Sequence, residues 1–414
     1  MAKKKLNLSA KMLIGLVAGV LLGLVSQSEP MAGIVGGIMN PVGTIFLNLV
    51  KLIVVPLVFA TIIVGTCGLG DVKKFGRIGG KTLAYFLAST GCASIIGLTI
   101  AKLLDVGGGF TLSTEGLEYE APTANFIDTV VSFFPSNALA SLVNAQMIPI
   151  IVCAILVGAG IIAAGNAAKP VLDLATGFSE VMYKITGGIM SLAPYGIFAL
   201  MTTTVINYGT AALLPMVKLI GVIYLGFAIH VLVVYGLSVK ALGHVNPITF
   251  FKRASQAMMF AFTSQTSSAC LPFGMEATRK LGVPYAIRSF ILPLGATINM
   301  DGTALYQSVC TVFIASIYGL ELSLVQLLMV VLAAVAASIG TAGVPNGGMA
   351  TFGMVLMAAG LPVEGVALVS GLIGIIGMGS TLLNITGDLT CSVVVASSEK
   401  VLDPNSEEAL AEKI

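Results

Sequence analysis

The sequence predicts an all-α membrane protein of eight transmembrane helices, with two further helical hairpins that dip into the bilayer and return. Three observations lead there. Of 414 residues, 57% are hydrophobic and only 10% are charged, against roughly a quarter charged in soluble domains. Mean hydropathy is +1.00, and apolar runs of about 20 residues, enough for roughly 30 Å of hydrocarbon, recur from end to end. The 48 glycines suit membrane helices, which approach closely through small residues.

The chain starts Met-Ala-Lys-Lys-Lys and enters an apolar stretch from about Met12 to Val25. A second hydrophobic segment follows in place of a polar mature domain, so this reads as a first span and not a cleaved signal. Spans are expected at about 10–28, 34–71, 76–105, 124–165, 170–208, 211–240, 283–317 and 365–398. Several exceed one crossing, which implies tilt, kinks or breaks. Pro56 and Pro149 lie inside such stretches, where a break must be satisfied by neighbouring groups.

Charge orients the spans. Lys73, Lys74, Arg77 and Lys81 follow the second, Lys169 the fourth, and Lys240, Lys252 and Arg253 the sixth. The segment from Asp105 to Asn125 has Glu115, Glu118 and Glu120 but no Lys or Arg, and is expected outside. Both termini then fall in the cytoplasm.

Two stretches do not fit as crossings. Residues 247–280 carry Lys252 and Arg253 near one end and Arg279 and Lys280 at the other, around a polar centre, Thr263 to Pro272. Residues 323–362 are centred on a glycine-rich run from Gly340 to Gly348. Non-helical backbone at membrane depth persists only when buried or lining a watery cavity. Each stretch therefore reads as a re-entrant hairpin, one from each side, the pattern that inverted repeats produce.

Several chemistries are absent from the pattern. The six cysteines (Cys67, Cys92, Cys153, Cys270, Cys310, Cys391) lie in apolar segments without CxxC spacing and read as small buried residues. His230 and His244 are the two histidines, which argues against a histidine metal site or a triad. No GxSxG, HExxH or P-loop pattern occurs, so hydrolysis and ATP-driven work have no visible machinery.

Polar chemistry concentrates instead around two lone acids. Asp301, in Asn299-Met300-Asp301-Gly302-Thr303, sits mid-run, where a charge costs about 2.5–3.5 kcal/mol on insertion scales. A carboxylate with carbonyls freed by local unwinding is the all-oxygen set a hard cation prefers; a protonated Asp capping a kink is the alternative. Asp388 follows Asn384 and Ser380 at steps of four, which stacks the three on one helix face. Its alternative role is an interhelical hydrogen bond. Ser267, Ser268 and the Gly343–Gly348 tip could present backbone N–H groups and helix ends to a carboxylate.

At these residues the chain resembles the dicarboxylate/amino acid:cation symporter family, which includes archaeal aspartate and mammalian glutamate transporters. The likeness spans nearly the whole chain and is densest from Ala257 to Leu389, in Leu292 to Gln307, Ala337 to Pro345 and Asn384 to Asp388, with Ala193 to Leu200 in support. It implies a homotrimer in which a transport domain moves as an elevator against a scaffold. Residues 1–75 would be the first scaffold spans, 76–123 a transport-domain span and outer loop, and 124–240 scaffold and connecting spans. The inner hairpin would be 241–282, the broken cation-site span 283–320, the outer hairpin 321–364, and the last span and tail 365–414.

The resemblance implies three sodium sites. One uses carbonyls of Gly295, Asn299 and Asn384 with the Asp388 carboxylate. A second uses carbonyls of Thr297, Met300, Ser338, Ile339 and Thr341. The third uses side chains of Asp301, Asn299, Ser89 and Thr90 with the carbonyl of Phe86, a position usually held by tyrosine. Substrate contacts would come from Ser267, Ser268, Thr303, Val344, Gly348, Gly377, Ser380, Thr381 and Asn384. Two charged determinants of the family are missing. The aspartate that pairs with a substrate ammonium is Gly377 here, and the two positions that can supply an arginine are Ser380 and Gln265. An ammonium or a second carboxylate would then lack its counter-charge.

The expectation is therefore a sodium-coupled symporter in the cell's inner (plasma) membrane. It would import a solute with one carboxylate, either a neutral amino acid or a short organic acid. Sodium ions and lipid are the other expected partners, and nucleic acid is not one. The alternatives are an acidic amino acid or dicarboxylate symporter with a rearranged site, and an ion channel. An enzyme using Ser267 or Ser268 lacks a nearby His or Lys base.

Overall fold

The computed structural model describes residues 8–72, 76–109, 131, 134–209, 213–341 and 347–404. Regular structure among them is helical throughout. Leu8–Val25 forms α1, Glu29–Val72 α2 and Arg77–Leu103 α3. A short α4, Ala138–Val143, precedes α5, Met147–Ala164, and the long α6, Lys169–Tyr208. Next comes α7, Leu213–Ile229, which continues through a π-helical turn, His230–Tyr235, into α8, Gly236–Ala241.

The second half alternates helix with break. Asn246 caps α9, Pro247–Ser264, by accepting from Ile248 N, with Pro247 at the first helical position, where its missing N–H costs nothing. Gln265 then turns left-handed (φ 53°), and the chain re-enters α10, Leu271–Lys280. The pair α11, Tyr285–Ile298, and α12, Asp301–Ile317, is parted by non-helical Asn299 and Met300. A Ser323–Gln326 capping box starts α13, Leu324–Gly340. After it come α14, Gly347–Ala358, α15, Gly365–Ser370, and α16, Ile373–Ser398.

Most expected elements fall near their observed bounds, with informative exceptions. The span expected over 124–165 is interrupted, with α5 beginning only at Met147. Pro149 is therefore in a first turn, where proline is tolerated, and breaks nothing. Pro56 and Pro41 lie within a continuous α2. The last span divides at Gly371–Leu372 into α15 and α16. The N-terminal lysines, most of the outer loop at 110–130 and residues 342–346 of the glycine-rich tip lie outside the described residues. Arg77–Leu103, Pro149–Ile189 and Pro215–Ala241 are long and apolar enough to cross a membrane.

Two packing regimes emerge. Helices α1, α2, α5 and α6 pack together through small residues. A Cβ on Gly15 would stand 2.4 Å from the Pro194 carbonyl oxygen, and one on Gly19 2.5 Å from that of Phe198. The other group joins α3, α9 to α14 and α16 around Phe86, Phe250, Leu292 and Leu389. The arms α9 and α10 meet through stacked Phe260 and Phe273, 4.2 Å between centroids.

A polar clasp closes this second group at one end. Arg77 and Lys81 both pair with Glu399, just past α16, and Asp403 N donates to Gly282 O at 3.0 Å. The hydrogen bond from Arg77, joined by that from Lys81, holds the Glu399 carboxyl below its ordinary pKa.

Candidate functional site

The site forms where the α11–α12 break meets α3, α13 and α16. Unwinding at Asn299 and Met300 leaves Asp301 as the first residue of α12, where the helix dipole favours a negative charge. Asp301 and Asp388 are 0% and 1% exposed, so every lone pair on them needs an accounting.

Asp301 is surrounded by donors. Thr90 Oγ1 donates to Oδ1 at 2.6 Å, Tyr235 OH to Oδ2 at 2.6 Å, and Ser89 Oγ also to Oδ2. His230 Nε2 stands 3.4 Å from Oδ2, without a hydrogen bond at either ring nitrogen. Asp388 is served on one side alone. Asn299 Nδ2 donates to its Oδ1 at 2.9 Å, while Asp388 Oδ2 and Asn299 Oδ1 are buried with no hydrogen-bond partner. Gly295 allows the approach, since a Cβ there would fall 2.2 Å from Asp388 Oδ1.

The face shared by Ser380, Asn384 and Asp388 meets the α11–α12 break. Asn384 Oδ1 accepts from Gly302 N at 2.8 Å, Asn384 O from Asn299 Nδ2 at 3.4 Å, and the Ser380 and Thr303 hydroxyls lie 3.4 Å apart. In the last turn of α13, Ser338 Oγ accepts from Met300 N and donates to Ile298 O, each at 2.8 Å. Thr341 Oγ1 is 3.0 Å from Thr351 Oγ1. Phe86 is buried beside Gly295. Thr297 is exposed, its hydroxyl turned back to Leu294 O, and Ile339 is half-buried.

A small cavity of about 30 Å³ opens beside this network, room for about two waters. Ser267, Thr303, Gly348, Gly377, Ser380, Thr381 and Asn384, all expected at a substrate site, line it. Ser268 is exposed and does not; Val344 lies outside the described residues. The wall also takes in Gln265, Met300, Tyr306 and Thr341. Gln265 Nε2 donates to Gly374 O at 3.1 Å, which leaves its Oε1 buried and unpartnered. Gln307, absent from the expected set, ties α12 to α14 by donating to Gly348 O at 2.7 Å. Among the described residues, lysine and arginine are missing from this wall.

A larger cavity, about 540 Å³, lies at the far ends of α3 and α12 beside Lys102, Asp105 and Glu321. It touches neither buried acid. Among the described residues no three His, Cys, Asp or Glu side chains cluster as metal ligands, and the cysteines are free thiols. The possible ligands here are mainly oxygens, the two carboxylates, the Ser89 and Thr90 hydroxyls and Asn299 Oδ1, with His230 as the single imidazole, a set that suits an alkali or alkaline-earth cation better than zinc.

Comparison with known proteins agrees with this chemistry. Residues 8–398 match the model of the sodium:dicarboxylate symporter family. A proton/sodium-glutamate symport protein of Bacillus caldotenax is 34% identical, across 96% of this chain and 95% of that protein. A proton/glutamate-aspartate symporter of Escherichia coli (strain K12) is 34% identical, across 96% and 94%. A C4-dicarboxylate transport protein of Bacillus subtilis (strain 168) is 30% identical, across 96% and 94%. This chain, a membrane transporter and not an enzyme, belongs to the sodium:dicarboxylate symporter family.

Proposed function

We propose that the protein is a sodium-coupled secondary symporter that imports a small solute bearing one carboxylate. The observation that carries the cation half is the pair of orphaned oxygens, Asp388 Oδ2 and Asn299 Oδ1. An unpaired buried oxygen is expensive, and cations resting on these atoms, one at Asp388 Oδ2 and another at Asn299 Oδ1, remove the cost. Carbonyls of Gly295, Asn299 and Asn384 complete the Asp388 site in this reading. Asp301, Asn299, Ser89 and Thr90 with Phe86 O form a second, and carbonyls of Thr297, Met300, Ser338, Ile339 and Thr341 a third.

The cavity carries the substrate half. Asn384, Thr303, Ser267 and the tip at Gly348 hold the carboxylate. Gln265 lines the cavity with its amide nitrogen held on Gly374 O, which leaves an unpartnered acceptor, Oε1, at that wall. A second carboxylate would meet that acceptor and find no guanidinium, whereas a hydroxyl, amide or amine would donate to it. The family's glutamate and C4-dicarboxylate carriers are thus relatives in mechanism with a different cargo.

Coupling follows from shared residues. Asn384 serves both a cation and the substrate, so each ligand raises the other's affinity by the same factor. In this reading α9–α10 and α13–α14 are re-entrant hairpins and α3, α9–α14 and α16 the moving domain. That domain slides as an elevator in a homotrimer of the plasma membrane, with both termini cytoplasmic.

Competition for labelled solute in proteoliposomes with an inward sodium gradient tests this reading. Saturable uptake is expected for monocarboxylates bearing a hydrogen-bond donor, with succinate, aspartate and glutamate competing weakly. High-affinity aspartate or glutamate uptake would refute the single-carboxylate assignment.

A further inference from the structure

The π-helical turn His230–Tyr235 changes which residues share a face. In an α-helix, residues five apart project about 140° from each other. Closing i→i+5 bonds brings them toward one side, and such turns recur at functional positions. Here His230 and Tyr235 both reach Asp301 Oδ2, at 3.4 and 2.6 Å, and their rings meet edge to face, 4.6 Å between centroids. Both side chains are fully buried.

Tyr235 has one hydroxyl hydrogen and two acceptors, Asp301 Oδ2 at 2.6 Å and Leu383 O at 3.2 Å. Leu383 directly precedes Asn384 in α16. The phenol oxygen lies against Gly387, where a Cβ would stand 2.6 Å from it and 2.6 Å from Asn299 Nδ2. Tyr235 thus sits between the two acids, touching the surroundings of both.

Resting on the cation reading above, we infer that Tyr235 is a positioning residue that satisfies Asp301 when no cation is bound and turns to Leu383 O when one is. With Ser89 also donating to it, Oδ2 has both lone pairs taken by hydroxyls, while Oδ1 accepts from Thr90 alone. A cation drawing on Oδ2 must displace a donor, and Tyr235 is the one with a second acceptor in reach. His230, packed on the ring, confines its motion to that swing. The same rotation carries news of cation binding to the α16 backbone beside Asn384.

The sign of the effect separates this role from a plain structural one. Removing the hydroxyl deprives the cation-free state of a charge-assisted bond and the bound state of a weaker one. Tyr235→Phe should therefore bind sodium about tenfold more tightly. A side chain that merely oriented a ligand would weaken binding when lost. The measurement is thermal unfolding of the purified full chain against sodium chloride, with choline chloride holding ionic strength. A second variant with 3-fluorotyrosine at 235, a stronger donor of the same shape, should shift the half-saturating sodium concentration upward.

A wild-type chain that sodium does not stabilise would sink the cation reading and this inference with it. Wild-type stabilisation with an unchanged or raised half-saturating concentration in Tyr235→Phe, or no upward shift in the fluorotyrosine variant, would overturn the inference alone.

Discussion

Helices α1, α2 and α6 differ from α3, α12 and α16 in what they bury. The buried polar groups described in the first set are the hydroxyls of Thr66, Ser179 and Thr202, and Thr202 donates to its own helix at Phe198 O and across to Gly19 O. The second set buries two carboxylates and amides, with hydroxyls that bond between helices, such as Ser94 to Ser308 at 2.7 Å. Both sets bring backbone against backbone at glycines, Gly15 and Gly19 in one and Gly97 and Gly302 in the other, but the second adds a hydrogen-bond network with open acceptors at Asp388 Oδ2, Asn299 Oδ1 and Gln307 Oε1. Close packing gives rigidity without chemistry, while an incompletely satisfied network pays in stability and gains a place for ligands. The proposed division into a part that binds and a part that braces rests on that contrast.

Substitutions can break the comparison. The largest expected effect is from Asp388→Asn, which removes the charge that a cation would neutralise. Sodium-driven uptake should fall by at least about a hundredfold, while size-exclusion and thermal unfolding show a folded protein. Next is Gln265→Arg, which places a guanidinium at the unpartnered acceptor. Competition by a dicarboxylate should strengthen by about ten- to a hundredfold, read as a drop in its inhibition constant.

On the bracing side the readout reverses. Gly19→Val forces a methyl-bearing Cβ against the Phe198 carbonyl and should cost about 1–3 kcal/mol of stability. The half-saturating sodium concentration should stay unchanged. If sodium affinity shifted instead, the two regions would not be separable in function.

The smallest effect belongs to the Arg77–Lys81–Glu399 clasp. Glu399 has a lowered pKa in the folded protein, so its contribution is present above the ordinary carboxylate range and disappears as pH falls through the folded value. Melting curves should show a slight acid-side loss in the wild type that Glu399→Gln lacks.

Much of the site was legible because charge in an apolar run is conspicuous. Asp301 and Asp388 stand out by composition alone, and steps of four predicted that Ser380, Asn384 and Asp388 would share a face. Gln265 was legible as a position lacking the family's arginine, but its orientation depends on Gly374, 109 residues away. Tyr235 and His230 were hidden for a geometric reason. Five residues apart, they fall on different faces of any α-helix, and nothing in the apolar letters between them announces a π turn. The 48 glycines suggested close packing in general, yet only the fold reveals α6 as the partner of Gly15, Gly19 and Gly23. Pro149 misled because a proline in an apolar run looks the same whether it interrupts a helix or starts one.

The central claim is that a metal cation, and not a proton, neutralises the buried acids during transport. Proteoliposomes separate the two by imposing a sodium gradient at equal pH, then a pH gradient at equal sodium. Accumulation of substrate under the first condition alone, abolished when Asp301 and Asp388 are both changed to asparagine, is the predicted result. Accumulation driven by the pH gradient alone, or surviving in the double variant, would contradict it.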